Sequence, residues 1–89
     1  MLMAEPIPKW LFLRYVKIWA EKKNDRFDYD EVRRLLNEKD DRTLSVILSD
    51  LRKSGWLEIA LDPNNARKRT YKLKHIQDII EEIAGSLKA

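Results

Sequence analysis

Apolar residues recur at helical spacing along the first half of the chain, and the first run of them predicts a helix with an unusual surface. No helix-breaking residue occurs in residues 9–23, and Pro8 suits the first position of a helix, so this helix is expected to begin near Pro8. Apolar side chains surround it except for a narrow polar stripe through Arg14, Lys17 and Glu21. Since a surface helix normally has one apolar face, the pattern predicts a helix buried on more than one side.

A second, shorter helix is predicted after a polar break at residues 24–30, in which Phe27 is the one clearly core-seeking side chain. Asp28 and Glu31 have the spacing of a capping box, so the helix is expected to begin at this aspartate. Its residues divide into an inward and an outward set: Val32, Leu35 and Leu36 towards the core, Arg33 and Arg34 towards solvent.

A third helix is predicted from a cap at Asp40 or Asp41 to about Ser54, where Gly55 supplies the stop. Its core face consists of four apolar residues at helical spacing: Leu44, Ile47, Leu48 and Leu51.

After Gly55 the apolar residues alternate with polar ones, as in a half-buried strand. One such run covers residues 57–61 and another residues 70–74, so we predict two antiparallel strands around a polar loop at residues 62–69. The loop carries three consecutive basic residues: Arg67, Lys68 and Arg69. A two-residue turn would suffice to close a hairpin, so a long basic loop indicates that a partner uses it.

The last predicted helix begins at His75 and has an apolar stripe opposite an acidic face. The stripe consists of Ile76, Ile79, Ile80, Ile83 and Leu87, and the acidic face of Asp78, Glu81 and Glu82. Part of the stripe, at positions 76, 80, 83 and 87, has the spacing of a short coiled-coil seam. With the first helix apolar nearly all round, we expect a homodimer through the first and last helices; the alternative is that these two helices cover each other within one chain.

Length and charge narrow the classes of function. Eighty-nine residues make one domain, too small for a large active-site cavity. The net charge is +3, but residues 41–75 hold eight basic and four acidic residues, so the basic excess falls on the third helix and the hairpin. Such a segment attracts phosphate backbones, acidic proteins or anionic membrane surfaces.

The chain lacks the residues that metal binding, catalysis or a membrane segment would require. The chain has no cysteine and one histidine, His75, so no metal site or cofactor is expected, and its carboxylates fall on outer faces or caps rather than in a catalytic pocket. It also lacks an apolar run of about 18 residues and a secretory leader, so we expect a soluble, cytoplasmic protein without a membrane partner. The chain is therefore not expected to be an enzyme.

Three segments carry a resemblance to a known family: FDYDEVRRLL, then RTLSVILSDLRKSGWLE, then IALDPNNARKRTYKLK. In this order they resemble the supporting helix, recognition helix and wing of winged helix-turn-helix DNA-binding domains, in pattern most similar to the MarR and PadR regulators. The resemblance implies an α+β, mainly helical fold, with a three-helix core, a two-stranded wing and an extra C-terminal helix. One domain is implied over residues 1–89, with a lead-in at 1–8, the winged-helix core at 9–74 and the C-terminal helix at 75–88.

The resemblance also implies a function, namely sequence-specific binding of double-stranded DNA by a small transcription regulator. The third helix would enter the major groove, and the wing would lie on the backbone or in the minor groove. The residues implied in DNA binding are Arg42, Thr43, Ser45, Val46, Ser49 and Lys53 on the helix and Arg67, Lys68 and Arg69 on the wing. Val46 could instead pack on the second helix, and Arg52 is expected to be a surface charge that reads no base.

Two other functions remain open at this point. Winged helices also serve as protein–protein interaction modules of larger nucleic-acid-processing complexes, and a basic domain can bind DNA without reading it, as an architectural protein; RNA is a further option. The aromatic residues do not decide between these functions, because Trp10, Phe12, Trp19 and Trp56 have the spacing of core or interface residues rather than of a base-stacking surface.

Overall fold

The computed structural model describes residues 3–62 and 64–88, with the backbone alone described at residues 61, 62 and 65–68. Within this part the chain forms four helices and a two-stranded antiparallel sheet, in the order α1 Lys9–Lys22, α2 Tyr29–Leu36, α3 Asp41–Lys53, β1 Leu57–Asp62, β2 Asn65–Leu73 and α4 Ile76–Lys88. The expected α+β, mainly helical class is confirmed. In the described residues, no helix combines the length and apolar character needed to cross a bilayer.

Local side-chain bonds explain where α2 and α3 begin. Asp28 Oδ1 accepts from the Glu31 N–H at 2.8 Å, while Glu31 Oε1 accepts from the Asp28 N–H at 3.4 Å, which confirms the capping box. Asp40, rather than Asp41, caps α3, because its Oδ1 accepts the Arg42 N–H at 2.9 Å.

The core forms where one face of α1, α2 and α3 meets the hairpin and α4. Its buried members are Leu11, Tyr15, Ile18, Phe27, Val32, Leu36, Leu44, Ile47, Leu48, Leu51, Trp56, Leu57, Tyr71, Leu73 and Ile79, together with Ala4. They include the whole predicted core face of α3.

Within one chain, α1 buries one face only, contrary to the expectation of burial on several sides. Leu11, Tyr15 and Ile18 are buried, because the rest of the fold packs against that face. Four large apolar side chains on the other faces remain between 40% and 48% exposed: Trp10, Phe12, Leu13 and Val16. These faces of α1 are therefore not fully covered within the described part of the chain.

The hairpin is longer than predicted, and the loop expected at residues 62–69 is wrong. β2 begins at Asn65, and the pairing runs from Leu57 opposite Leu73 to Asp62 opposite Asn65, with a register shift between Leu61 and Asp62. Backbone pairing does not require apolar side chains, and residues 64–69 contain no large apolar residue whose alternation would mark a strand. The three basic residues thus belong to β2.

The break before α2 is tied to this sheet. Phe27 and Tyr71 exchange both backbone hydrogen bonds, at 2.9 and 2.7 Å, and their rings stack with centroids 5.9 Å apart. Phe27 is therefore buried, as predicted, and it fixes the start of α2 against the hairpin.

The lead-in packs on the corner between α3 and β1. Gly55 has a φ of +78°, and its backbone lies so close to Met3 and Ala4 that an added Cβ would stand 2.7 Å from the Met3 carbonyl. The indole N–H of Trp56 donates to Glu5 O at 2.6 Å, and the Glu5 N–H donates to Ser54 O at 2.9 Å. Residues 3–5 are therefore part of the folded body.

An ion pair that the sequence pattern missed joins α4 to this body. Lys74 is only 7% exposed, and its Nζ donates to Glu82 Oε1 at 2.8 Å. The same oxygen accepts the Ala4 N–H at 2.8 Å. The placement of Glu82 on an outward acidic face is therefore wrong, because this carboxylate has two donors on the body that face it.

Gly55→Ala is expected to lower the free energy of unfolding by about 2 kcal/mol or more, because alanine disfavours a left-handed backbone and its Cβ would overlap the Met3 carbonyl. Gly85→Ala is the control. Gly85 lies in α4 with no atom within 4 Å of an added Cβ, so alanine should stabilise by about 0.5–1 kcal/mol. Urea unfolding followed by tryptophan fluorescence measures both; equal effects of the two changes would contradict the role of the corner.

Glu82→Gln is expected to destabilise the fold at neutral pH and to matter less in acid. The hydrogen bond from Lys74, and then that from Ala4, lower the pKa of the Glu82 carboxyl from its ordinary 4.5. A lowered folded-state pKa stabilises the fold above the unfolded-state pKa, and this stabilisation is lost as the pH falls through the folded-state value.

Thermal unfolding of wild type and Glu82→Gln between pH 7 and pH 3 tests this. The gap between the two melting temperatures should narrow below about pH 4.5. Glu81→Gln, which removes the same charge from an exposed neighbouring position, should follow wild type throughout. A gap that is independent of pH would show that the carboxylate charge has no part in holding α4.

Candidate nucleic-acid interface

The outer face of α3 carries the residues predicted to meet DNA. Leu44, Ile47, Leu48 and Leu51 hold the opposite face in the core. All six predicted residues of the helix are exposed: Arg42, Thr43, Ser45, Val46, Ser49 and Lys53. Val46 is 46% exposed, which favours the outward position over packing on α2.

Two contacts fix the N-terminal end of this face. The Thr43 hydroxyl donates to Asp40 Oδ2 at 3.3 Å, so it takes part in the cap of α3. The Arg33 guanidinium pairs with Asp41 and lies 5.3 Å from the Tyr29 ring centroid. These contacts set how the start of α3 is presented relative to α2.

A groove of about 250 Å³ runs between α3 and the hairpin. It is lined by Tyr29, Ser45, Leu48, Ser49, Arg52, Lys53, Ile59, Arg69 and Tyr71. Leu48, Ile59 and Tyr71 supply apolar and aromatic surface, while Arg52, Lys53 and Arg69 supply three positive charges. Among the described lining residues there is no carboxylate. The groove is therefore suited to an anionic group that lies against a partly apolar surface.

Arg52 and Tyr29 belong to this groove, although neither is among the predicted DNA-binding residues. Arg52 is exposed, as expected of a surface charge, and it shares the groove with Lys53 and Arg69. The sequence could have placed Arg52 on the same helix face as two predicted site residues, since Ser45, Ser49 and Arg52 stand at i, i+4 and i+7. The position of Tyr29 depends on how α2 packs beside α3, which no local pattern reports.

Of the three consecutive basic residues on β2, the structure describes the side chain of Arg69 only. Arg69 is exposed, pairs with Leu61 across the hairpin and lines the groove. The side chains of Arg67 and Lys68 lie outside the described part of the chain. The structure thus brings Ser45, Ser49, Lys53 and Arg69 together around one groove.

The remaining chemistry-bearing residues serve the fold. His75 Nδ1 accepts the Gln77 N–H at 3.2 Å at the start of α4, which is a capping role. Burial raises the pKa of the Tyr15 phenol to about 12, and its hydroxyl donates to Lys74 O at 2.8 Å. Over the described residues, no three His, Cys, Asp or Glu side chains are grouped as a metal ion would require. The α3–hairpin groove is thus the candidate site.

Comparisons with protein-family models, with curated proteins and with solved structures found no match to this chain.

Proposed function

We propose that the chain binds double-stranded DNA through the outer face of α3 and the adjoining groove, as a small sequence-specific transcription regulator of the winged-helix type. The observation that carries the proposal is the groove, in which Arg52 and Lys53 of α3 and Arg69 of β2 converge without a carboxylate among its described lining residues. Several cations in one groove bind a phosphate backbone by releasing its counterions.

The shape of the site favours a duplex over other polyanions. α3 is 13 residues long, with polar and small side chains outward, and the major groove of B-DNA is about 12 Å wide, enough to admit one helix. The deep, narrow major groove of A-form RNA excludes such a helix. The order of the elements, with the hairpin following α3, is compatible with a winged helix.

The proposed contacts fall into two groups. The first group would hold phosphates: Arg52, Lys53 and Arg69, and with them Arg67 and Lys68, which precede Arg69 in the sequence. Thr43, Ser45, Val46 and Ser49 would face base edges, where hydroxyls can pair with polar groups and Val46 can touch a thymine methyl. Arg42 stands at the helix start and could reach a phosphate or a guanine. The first group would supply affinity and the second discrimination.

We also propose that the DNA-binding form is a homodimer through α1 and α4. Besides the exposed side chains of α1, Ile80 and Leu87 of α4 are 57% and 79% exposed. Contiguous apolar surface of this kind is typical of interaction sites. In a two-fold dimer, the two α3 helices would meet half-sites roughly 34 Å apart.

Alanine at Arg52 and Arg69 is expected to weaken binding to every duplex by similar factors and to flatten the slope of log affinity against log salt by up to about two, since each lost phosphate contact removes roughly 0.9. Alanine at Arg26 and Arg34, which are exposed, do not line the groove and lie outside α1 and α4, removes the same charge and should leave most of the salt dependence of binding. Fluorescence anisotropy at two salt concentrations measures this. Equal slopes for both double variants would show that the groove does not hold phosphate.

Alanine at Ser45 or Ser49 should instead weaken the binding free energy on a preferred site by about 1–3 kcal/mol each, where a good base contact is lost. Affinity for a random duplex should change little. The preferred site comes from selection on a random duplex pool. Uniform loss on all duplexes would indicate an architectural protein, and wild-type binding that is weak and insensitive to salt would favour a protein–protein interaction module.

Leu13→Glu is expected to convert the dimer to a monomer, because an exposed apolar residue of the proposed interface becomes charged. Val46→Glu is the matched control: the two side chains are 48% and 46% exposed, but Val46 lies on α3. Light scattering at tens of micromolar should give twice the chain mass of 10.6 kDa for wild type and for the control. A monomeric wild type would contradict the dimer while leaving the DNA proposal standing.

A further inference from the structure

Asp41 stands at the start of α3, on the helix face that borders the α3–hairpin groove. It precedes Ser45 by one helical turn and Arg52 by three, so the three side chains share one face of the helix. Ser45 and Arg52 line the groove, and the side chain of Asp41 is 69% exposed. A phosphate backbone that follows this face of α3 therefore meets a carboxylate at its first residue.

Arg33 of α2 compensates the charge of this carboxylate. Its Nη2 donates to Asp41 Oδ1, and its guanidinium carbon lies 5.3 Å from the ring centroid of Tyr29. Tyr29 lines the groove, and its hydroxyl donates to Asp41 O at 3.2 Å. The guanidinium thus lies against a ring that forms part of the groove wall.

The ion pair between Arg33 and Asp41 is incomplete and open to solvent. Asp41 accepts from one terminal nitrogen of the guanidinium, whereas a bidentate pair uses two. The Nε–H of Arg33 is buried and has no acceptor in the described part of the chain. The two side chains are 38% and 69% exposed, and an ion pair at that exposure adds little stability. Exchange of the carboxylate for a phosphate therefore costs little.

We propose that Arg33 is a further phosphate-binding residue of the α3–hairpin site and that Asp41 limits its contribution. In the free chain, the carboxylate holds the guanidinium; in the complex, a backbone phosphate competes for the same donors. Asp41 thereby sets how tightly the chain holds any duplex, without contact to a base. The inference rests on the proposed DNA binding and adds a residue of α2 to its phosphate contacts.

Asp41→Asn is expected to tighten binding to every duplex, on the order of three- to tenfold at low salt, and to steepen the slope of log affinity against log salt by up to about 0.9. The change releases Arg33 and leaves the Tyr29 hydrogen bond in place, because that bond goes to the backbone oxygen of residue 41. The gain should be similar on a random duplex and on a selected site, because a phosphate contact carries no sequence information.

Three further substitutions, each made in the Asp41→Asn background, separate Arg33 from its surroundings. Arg33→Gln should remove the added slope. Arg34→Gln removes the same charge from an exposed neighbouring position of α2 and should keep the added slope. Arg33→Lys should also keep most of it, because lysine can reach a phosphate but lacks the planar guanidinium that lies on the Tyr29 ring. The lysine variant thus tests the charge of residue 33 separately from its packing.

Fluorescence anisotropy on a random duplex at several salt concentrations measures each slope, and far-UV circular dichroism reports the fold of each variant. Wild-type binding that is insensitive to salt overturns the proposed function and this inference together. Where wild type binds with a steep slope, two results overturn the inference alone: an Asp41→Asn slope that is no steeper, or equal slopes for the Arg33→Gln and Arg34→Gln double variants. If Arg33→Gln fails to fold, Arg33→Lys decides, and a slope as shallow as that of wild type overturns the inference.

Discussion

The packing of Trp56 at the corner between α3 and β1 is the constraint on which the arrangement of the other elements depends. Its ring stands edge-on to Tyr15 of α1 at 5.0 Å, its indole N–H holds Glu5 O, and its carbonyl accepts the Lys74 N–H at 3.0 Å. One residue thereby joins α1, the lead-in and the end of β2. The two sides of the candidate groove, α3 and the hairpin, diverge from this corner, so the distance between the Arg52 and Arg69 side chains depends on it.

Much of the fold could be predicted because its signals are local. The capping box at Asp28, the cap at Asp40 and the stop at Gly55 depend on residues a few positions apart, and the structure has the helix boundaries where these patterns place them. The extent of β2 could not be predicted, because residues 64–69 lack the apolar alternation that marks a strand. The bond between Ala4 and Glu82 joins residues 78 positions apart, and no local pattern reports such a contact.

The candidate site likewise has one part that local sequence patterns predict and another that depends on packing between elements. The exposed face of α3 follows from the periodicity of its four core leucine and isoleucine residues. The grouping of Arg52 with Arg69 depends on the angle at which the hairpin leaves α3. The position of Tyr29 beside them depends on how α2 packs against α3. Propensity and spacing describe single elements, whereas a groove between two elements is a property of their packing. Whether the groove binds DNA is a proposal that derives from its charge and shape.

We propose that duplex DNA binds at α3 and the hairpin while α1 and α4 remain available to a second copy. Amide chemical-shift mapping of ¹⁵N-labelled protein, titrated with a random-sequence duplex, tests this most directly. We expect shifts concentrated at residues 42–53 and 69–71, with little change at residues 10–16 and 80–87. Shifts concentrated on α1 and α4, or no shift at low salt with duplex in excess, would contradict it.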